Sequence, residues 1–88
     1  MKRALPSLLL TAAGTLTSLA AAQPLTFAQL PAPVQNTVTR ETQGGTIHEI
    51  ELENKHGVVF YEVEFFAANV KYELEIAADG KLLGRKVD

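Results

Sequence analysis

The chain has 88 residues, of which 47% are hydrophobic and 20% are charged, and its formal net charge is −2 at pH 7. A chain of this length accommodates one small globular domain. Because it contains no cysteine, a disulfide framework, a thiolate metal site and a lipid-modified cysteine are excluded. The acidic balance disfavours nucleic acid and anionic membrane surfaces as partners.

Residues 1–22 have the three-part pattern of a cleavable signal peptide. Met1-Lys2-Arg3 is positively charged, residues 4–19 are uncharged and rich in leucine and alanine, and Ala20-Ala21-Ala22 supplies the small residues of a cleavage site. The uncharged run is too short and too weakly apolar to span a membrane. We therefore expect cleavage before Gln23, export to a periplasm or out of the cell, and no stable membrane anchor afterwards.

Residues 23–29 are predicted to be a lead-in segment, and residues 30–88 the folded domain. The prolines near the start of that domain are tolerated where a helix begins, which predicts a helix from about Pro31 to Thr42. Its apolar residues, Leu30, Val34 and Val38, form a stripe at four-residue spacing. Three apolar residues cannot stabilise a helix alone, so we expect this helix to pack on a sheet.

Beyond Gly44-Gly45, bulky and polar residues alternate with the two-residue period of strands. The first predicted strand begins at Thr46, and the second contains Tyr61-Glu62-Val63-Glu64-Phe65. The third covers residues 71–76, and the fourth is a short basic edge strand over 81–87. The turns between them fall at residues 54–57, 67–69 and 79–80. The predicted fold class is α+β, with one short helix packed on a four-stranded antiparallel β-meander in two layers.

The turns leave part of the register open. A symmetric first hairpin sets Leu52 opposite Val59, and it gives His48 inward parity at the rim of the core. The second turn allows Glu64 to lie opposite either Lys71 or Glu73. The third allows either leucine of the last strand to lie opposite Ile76. The inward set is predicted to be Val34, Val38, Ile50, Leu52, Val59, Tyr61, Val63, Phe65, Tyr72, Leu74 and Ile76.

The order of these pieces resembles the PepSY and PepSY-like domains, the latter similar to half of the two-repeat β-lactamase inhibitor protein. The resemblance is carried by the runs at residues 30–35, 45–51, 61–63 and 78–83. It implies an exported or membrane-adjacent binding module, of a kind found in propeptides of secreted metallopeptidases and proposed to inhibit peptidases. It carries no catalytic motif.

The residues themselves also argue against catalysis. Nucleophilic catalysis needs a serine or cysteine beside a base, and both serines, Ser7 and Ser18, lie in the predicted signal peptide. His48 and His56 lack the spacing of a metal pair. We therefore expect no enzyme activity, no cofactor and no metal.

A carboxylate-rich face is the best candidate site. Alternation places seven glutamates on the sheet face opposite the helix, with Phe60 and Phe66 among them, and an exposed aromatic among acids is a common interface pattern. Antiparallel sheets also often keep one solvated face for solubility alone. The candidate partner-binding residues are Glu51, Phe60, Glu62, Glu64, Phe66 and Glu73.

Two functions follow as hypotheses. The first is an exported, non-catalytic module that binds an envelope or extracellular protein, such as a peptidase, through this face. The alternative is a small acidic cation-binding envelope protein. A domain this small without disulfides is expected to be only marginally stable. Homodimerisation would add stability, and the sequence leaves it open.

Overall fold

The computed structural model describes residues 23–88, and the predicted signal peptide lies outside the described residues. In chain order the elements are β1 (Gln23–Pro24), a 3₁₀ turn (Phe27–Gln29), α1 (Ala32–Thr42), β2 (Thr46–Lys55), β3 (Val58–Ala67), β4 (Val70–Ala77) and β5 (Leu82–Val87). The strands form one antiparallel sheet in the order β1-β2-β3-β4-β5. Within this range, none of the helices has the length and apolar character needed to cross a bilayer.

The predicted α+β architecture, a helix on a four-stranded antiparallel meander, is confirmed with one addition. The lead-in segment forms a fifth, very short strand, in which Gln23 lies opposite Leu52. The backbone N–H of Leu25 continues this pairing by donating to the carbonyl of Ile50 at 2.8 Å. The lead-in therefore covers part of the β2 edge, which would otherwise present unpaired backbone groups.

The core lies between α1 and the sheet face that α1 covers, here called the inner face. The predicted stripe of Leu30, Val34 and Val38 is buried. It packs against side chains from three strands, namely Ile50, Val63, Phe65, Leu74 and Ile76. Burying an aliphatic or aromatic side chain of this size stabilises a fold by about 1.5–3 kcal/mol, which offsets the weak helix propensity of the threonine-rich sequence.

Two long-range contacts fasten α1 to the end of the chain. The Thr37 hydroxyl donates to the carbonyl of Gly80. Near the C-terminal end of the helix, Arg85 donates to the backbone carbonyl of Glu41 at 3.0 Å and to its carboxylate at 3.1 Å. The Arg85 guanidinium also lies 5.4 Å from the Phe65 ring centroid and 4.9 Å from that of Tyr72. Sequence reasoning placed Arg85 only on a basic edge, and it missed this role.

The first hairpin has a tighter turn than predicted. His56 and Gly57 have φ values of 54° and 84°, as a two-residue type I′ turn requires. Leu52 consequently lies opposite Tyr61, and the predicted pairing with Val59 is wrong by two residues. Because side chains alternate with a period of two, the shift leaves the inward set on the same face. Val59 nevertheless lies near the turn and is 44% exposed, so its predicted place in the core is also wrong.

A bulge in β2 overturns the prediction for its first residues. The register shifts between Ile47 and Glu49, so His48 has no residue opposite it. As a result Ile47 lies opposite Phe65 and packs against the core. His48 is exposed and contacts Phe66, so its predicted place at the core rim is wrong. Strict alternation cannot anticipate a bulge, because the extra residue reverses the parity of everything before it.

The two open registers are now determined. Glu64 lies opposite Glu73. The last turn spans three residues, with the carbonyl of Lys81 accepting from the N–H of Ala77 at 2.8 Å, and it sets Leu82 opposite Ile76. Leu83 is accordingly 46% exposed. Gly80 has φ of 93°, and a Cβ there would lie 2.6 Å from the carbonyl oxygen of Pro33, so this turn and the helix start require glycine.

Candidate functional site: the outer face of the sheet

The sheet face opposite α1, here called the outer face, carries glutamates in two rows that run across the strands. The pairing of β2 with β3 and of β3 with β4 aligns them directly opposite one another. We call these six residues the glutamate grid: Glu51, Glu62 and Glu75 in the first row, and Glu49, Glu64 and Glu73 in the second. Directly opposed residues have Cβ atoms only about 4.5–5.5 Å apart, so the grid concentrates negative charge.

Counter-charges reach only the second row. Lys71 Nζ lies 3.2 Å from Glu64 Oε1 and 3.2 Å from Asp88 Oδ2, and these two carboxylates raise the pKa of Lys71. Lys86 Nζ lies 4.0 Å from Glu73 Oε2. In the described part of the chain, no salt bridge involves the first row. The first row is therefore the uncompensated part of the grid.

Two glutamates of the grid have raised pKa values. A hydrogen bond with Glu73, followed by desolvation and by repulsion from Glu73 and Glu53, raises the pKa of Glu62 to about 8. A hydrogen bond with Glu49, followed by desolvation and by repulsion from Glu49 and Glu53, raises the pKa of Glu51 to about 7. When two carboxyl groups share a proton, ionising both of them is unfavourable, so one group keeps its proton to a higher pH and its pKa rises. The grid therefore carries protons near neutral pH.

The structure brings together four of the predicted site residues, Glu51, Glu62, Glu64 and Glu73, all within the grid. Glu73 is the most enclosed of them, at 9% exposure. The sequence pattern could assign these residues to one face from alternation alone. Their exact opposition depended on registers that the turns left open or misassigned.

The two phenylalanines predicted to be exposed on this face differ. Phe66 is 40% exposed and makes an edge-to-face contact with His48, with ring centroids 5.7 Å apart. Phe60 is only 5% exposed, so its expected exposure is wrong. Its ring lies 5.9 Å from Lys55 Nζ, in a cross-strand row between Glu53 and Ala77. Phe66 and His48 thus form the accessible aromatic corner of the outer face.

Several carboxylates are close enough to share a cation. Groups drawn from the grid and its neighbours can bring three ligand atoms within 4.8 Å of one another, including Glu51 with Glu53 and Glu62, and Glu62 with Glu73 and Glu75. Oxygen-only donor sets suit hard cations such as calcium and magnesium. His48 could add a nitrogen ligand beside Glu49 and Glu64.

No protein-family model matches the chain, and no curated protein sequence matches it either. The geometry and charge of the outer face are therefore the basis for a proposed function.

Proposed function

We propose that this protein is an exported, non-catalytic binding module of the PepSY-like kind, which docks a basic segment of a protein partner on its outer face. The observation that carries the proposal is the uncompensated first row, three glutamates directly opposite one another on adjacent strands. Like charges in such positions destabilise a sheet by roughly 0.2–1 kcal/mol per pair. A cationic partner removes this cost when it binds. The order of helix and meander supports the PepSY-like resemblance.

The aromatic corner favours a protein over a simple ion as the ligand. Phe66 offers an accessible ring at the border of the charged rows, with His48 against its edge. Interfaces commonly combine an aromatic anchor with surrounding polar contacts. Lysine and arginine side chains of the partner would pair with the grid, while an apolar residue of the same segment contacts Phe66.

The charge pattern also argues against self-association through this face. In a two-fold symmetric dimer the same patch meets itself, which would bring two glutamate grids together. A partner with a basic surface, such as a secreted peptidase, complements the face instead. The module would inhibit such a peptidase by covering the bound segment, and it would catalyse no reaction itself.

Binding of oligolysine tests the charge complementarity directly. We expect the Glu62→Gln/Glu75→Gln double variant to bind oligolysine about 2- to 30-fold more weakly, since each exposed ion pair contributes about 0.2–1 kcal/mol. Titration calorimetry at low salt measures this, and the wild-type affinity should fall as salt is added. Asp79→Asn is the matched control, because it removes one charge in the β4–β5 turn while keeping the acceptor for the Lys81 N–H. Equal weakening per charge removed in the control and in the double variant would show a net-charge effect and contradict a specific face.

The contribution of the aromatic corner can be measured on natural partners. We expect Phe66→Ala to lose proteins that the wild-type chain captures from its own envelope fraction, because truncating an interface anchor costs more than about 1 kcal/mol. Phe27→Ala is the control, since Phe27 is similarly exposed but lies in the 3₁₀ turn whose carbonyl accepts from Gln35 of α1. Capture of the same proteins by Phe66→Ala would remove the corner from the proposed interface.

A second candidate, a cation-binding envelope protein, is favoured by the closely spaced carboxylate oxygens of the grid. It predicts heat on titration with calcium or magnesium, and loss of that heat in the Glu62→Gln/Glu75→Gln variant. Absence of heat with either ion at millimolar concentration would eliminate this candidate and leave the protein-binding proposal standing.

A further inference from the structure

We infer that the free edge of β5 is a second docking surface, which binds an extended segment of a partner protein as an additional strand of the sheet. The segment that fits this edge alternates acidic and apolar residues. The inference goes beyond the proposed function, because it depends on backbone groups and cations at the edge of the sheet and not on the outer face.

The backbone of β5 has hydrogen-bonding groups that point away from β4. Within residues 23–88, β5 ends the strand order and pairs with β4 alone. The N–H of Asp88 donates to the carbonyl of Lys71 at 2.8 Å, and hydrogen-bonded positions alternate along an antiparallel pair. The N–H and C=O groups of Arg85 and Val87 therefore face the free side. Unpaired groups of this kind are what an added strand binds.

The side chains along this edge are cationic on one face and apolar on the other. Lys86 lies opposite Glu73 on the outer face; its side chain is 65% exposed, and its Nζ lies 4.0 Å from the Glu73 carboxylate. Val87 lies opposite Tyr72 on the inner face and is 65% exposed. Lysine on an edge strand opposes pairing with another basic strand, such as β5 of a second copy. An acidic strand complements it instead.

The strand that β5 already binds shows which pattern the edge accepts. β4 presents Glu73 to Lys86 on the outer face and Leu74 to Arg85 on the inner face. A strand on the free side of β5 meets the same two rows of side chains. Its glutamates would pair with Lys86, and its apolar residues would cover Val87. In an antiparallel arrangement, the residues opposite Arg85 and Val87 are also those that exchange backbone hydrogen bonds with them.

A short, end-blocked peptide in which glutamate alternates with valine tests this docking. We expect the wild-type chain to bind the fluorescently labelled peptide, as measured by anisotropy, with an affinity that falls as salt is added. N-methylation of the valines removes the N–H groups that face β5. Loss of one hydrogen bond weakens binding about 2- to 12-fold, so the loss of two should weaken it about fivefold or more. N-methylation of the glutamates is the matched control, because their N–H groups face solvent.

Variants of β5 test the same contacts from the other side. Val87→Pro removes one free N–H and no hydrogen bond to β4, and proline is tolerated on edge strands. It should weaken peptide binding about 2- to 12-fold, whereas Val87→Thr keeps the N–H and should bind more tightly than Val87→Pro. Lys86→Gln should weaken binding about 1.4- to 5-fold and reduce its salt dependence. Thermal unfolding of each variant shows whether the domain remains folded.

The contradicting results are specific to this edge. Failure of the unmodified peptide to bind at low salt, or equal weakening by the two N-methylated peptides, would overturn the inference and leave the outer-face proposal standing. Equal affinity for a peptide that alternates lysine with valine would overturn the acidic preference. Sedimentation that shows a wild-type dimer, lost in Val87→Pro, would assign the edge to a second copy and equally overturn the inference.

Discussion

Replacing Phe65 with alanine is expected to destabilise the domain by about 3–5 kcal/mol, as deletion of a buried phenylalanine ring typically does. Phe65 is 1% exposed, and its ring stacks on Tyr72 with centroids 5.2 Å apart. The Arg85 guanidinium lies over the same ring, so the substitution also weakens the fastening of α1. A domain of this size has a free energy of unfolding of only about 3–10 kcal/mol. The substitution would therefore remove between about a third and all of it.

Urea denaturation followed by far-UV circular dichroism measures this loss. Phe65→Leu is the control, since a smaller cavity should cost considerably less than the alanine variant. A Phe65→Ala chain that unfolds at the wild-type urea concentration would show that the inner face does not hold the fold together.

Replacing Glu62 with glutamine is expected to have the opposite sign and to stabilise the domain at pH 8–9 by about 0.4–2 kcal/mol. The substitution relieves two directly opposed like-charge pairs, with Glu51 and with Glu75, each costing about 0.2–1 kcal/mol. Glutamine resembles the protonated carboxyl in shape and hydrogen bonding. At pH 5, where Glu62 is protonated in the folded state, the variant and the wild type should be nearly equal in stability.

The raised pKa of Glu62 also makes the stability of the wild type depend on pH. The folded-state pKa of Glu62 is raised from 4.5 to about 8, so between these values the folded chain binds more protons than the unfolded chain. Its contribution to stability is complete below about pH 4.5 and is lost as the pH rises toward 8. Thermal unfolding at pH 5, 7 and 9 should therefore show falling stability in the wild type and a flatter profile in Glu62→Gln. A wild type that gains stability over this range would refute the account of the grid.

The sequence predicts most of this fold, because its alternation is strong and its turn residues are distinctive. The stripe of Leu30, Val34 and Val38 is buried as predicted, and so are five members of the inward set, namely Ile50, Val63, Phe65, Leu74 and Ile76. The errors arose where backbone geometry is decided by local details. His56 adopts a positive φ, which tightens the first turn. The bulge at His48 reverses the inward and outward positions that strict alternation predicts for Ile47 and His48.

The candidate site could be predicted from the sequence less completely than the fold. Alternation assigns the glutamates to one face, but their opposition in rows depends on two strand registers. The burial of Phe60 has no signal in the sequence, because its position has the same parity as the exposed Phe66. The proton-holding role of Glu62 requires its neighbours on both β2 and β4, and only the folded sheet brings these together.

The contacts that fasten α1 have a consequence for the order of folding. The strands from β2 to β5 each pair with the next strand in sequence through a short turn, so this part of the sheet can grow by successive local hairpins, which form quickly. The Thr37–Gly80 and Glu41–Arg85 contacts instead join residues 43 and 44 positions apart. These contacts can therefore form only after the β4–β5 turn and β5 are in place. During synthesis, the domain completes its fold only after β5 has emerged.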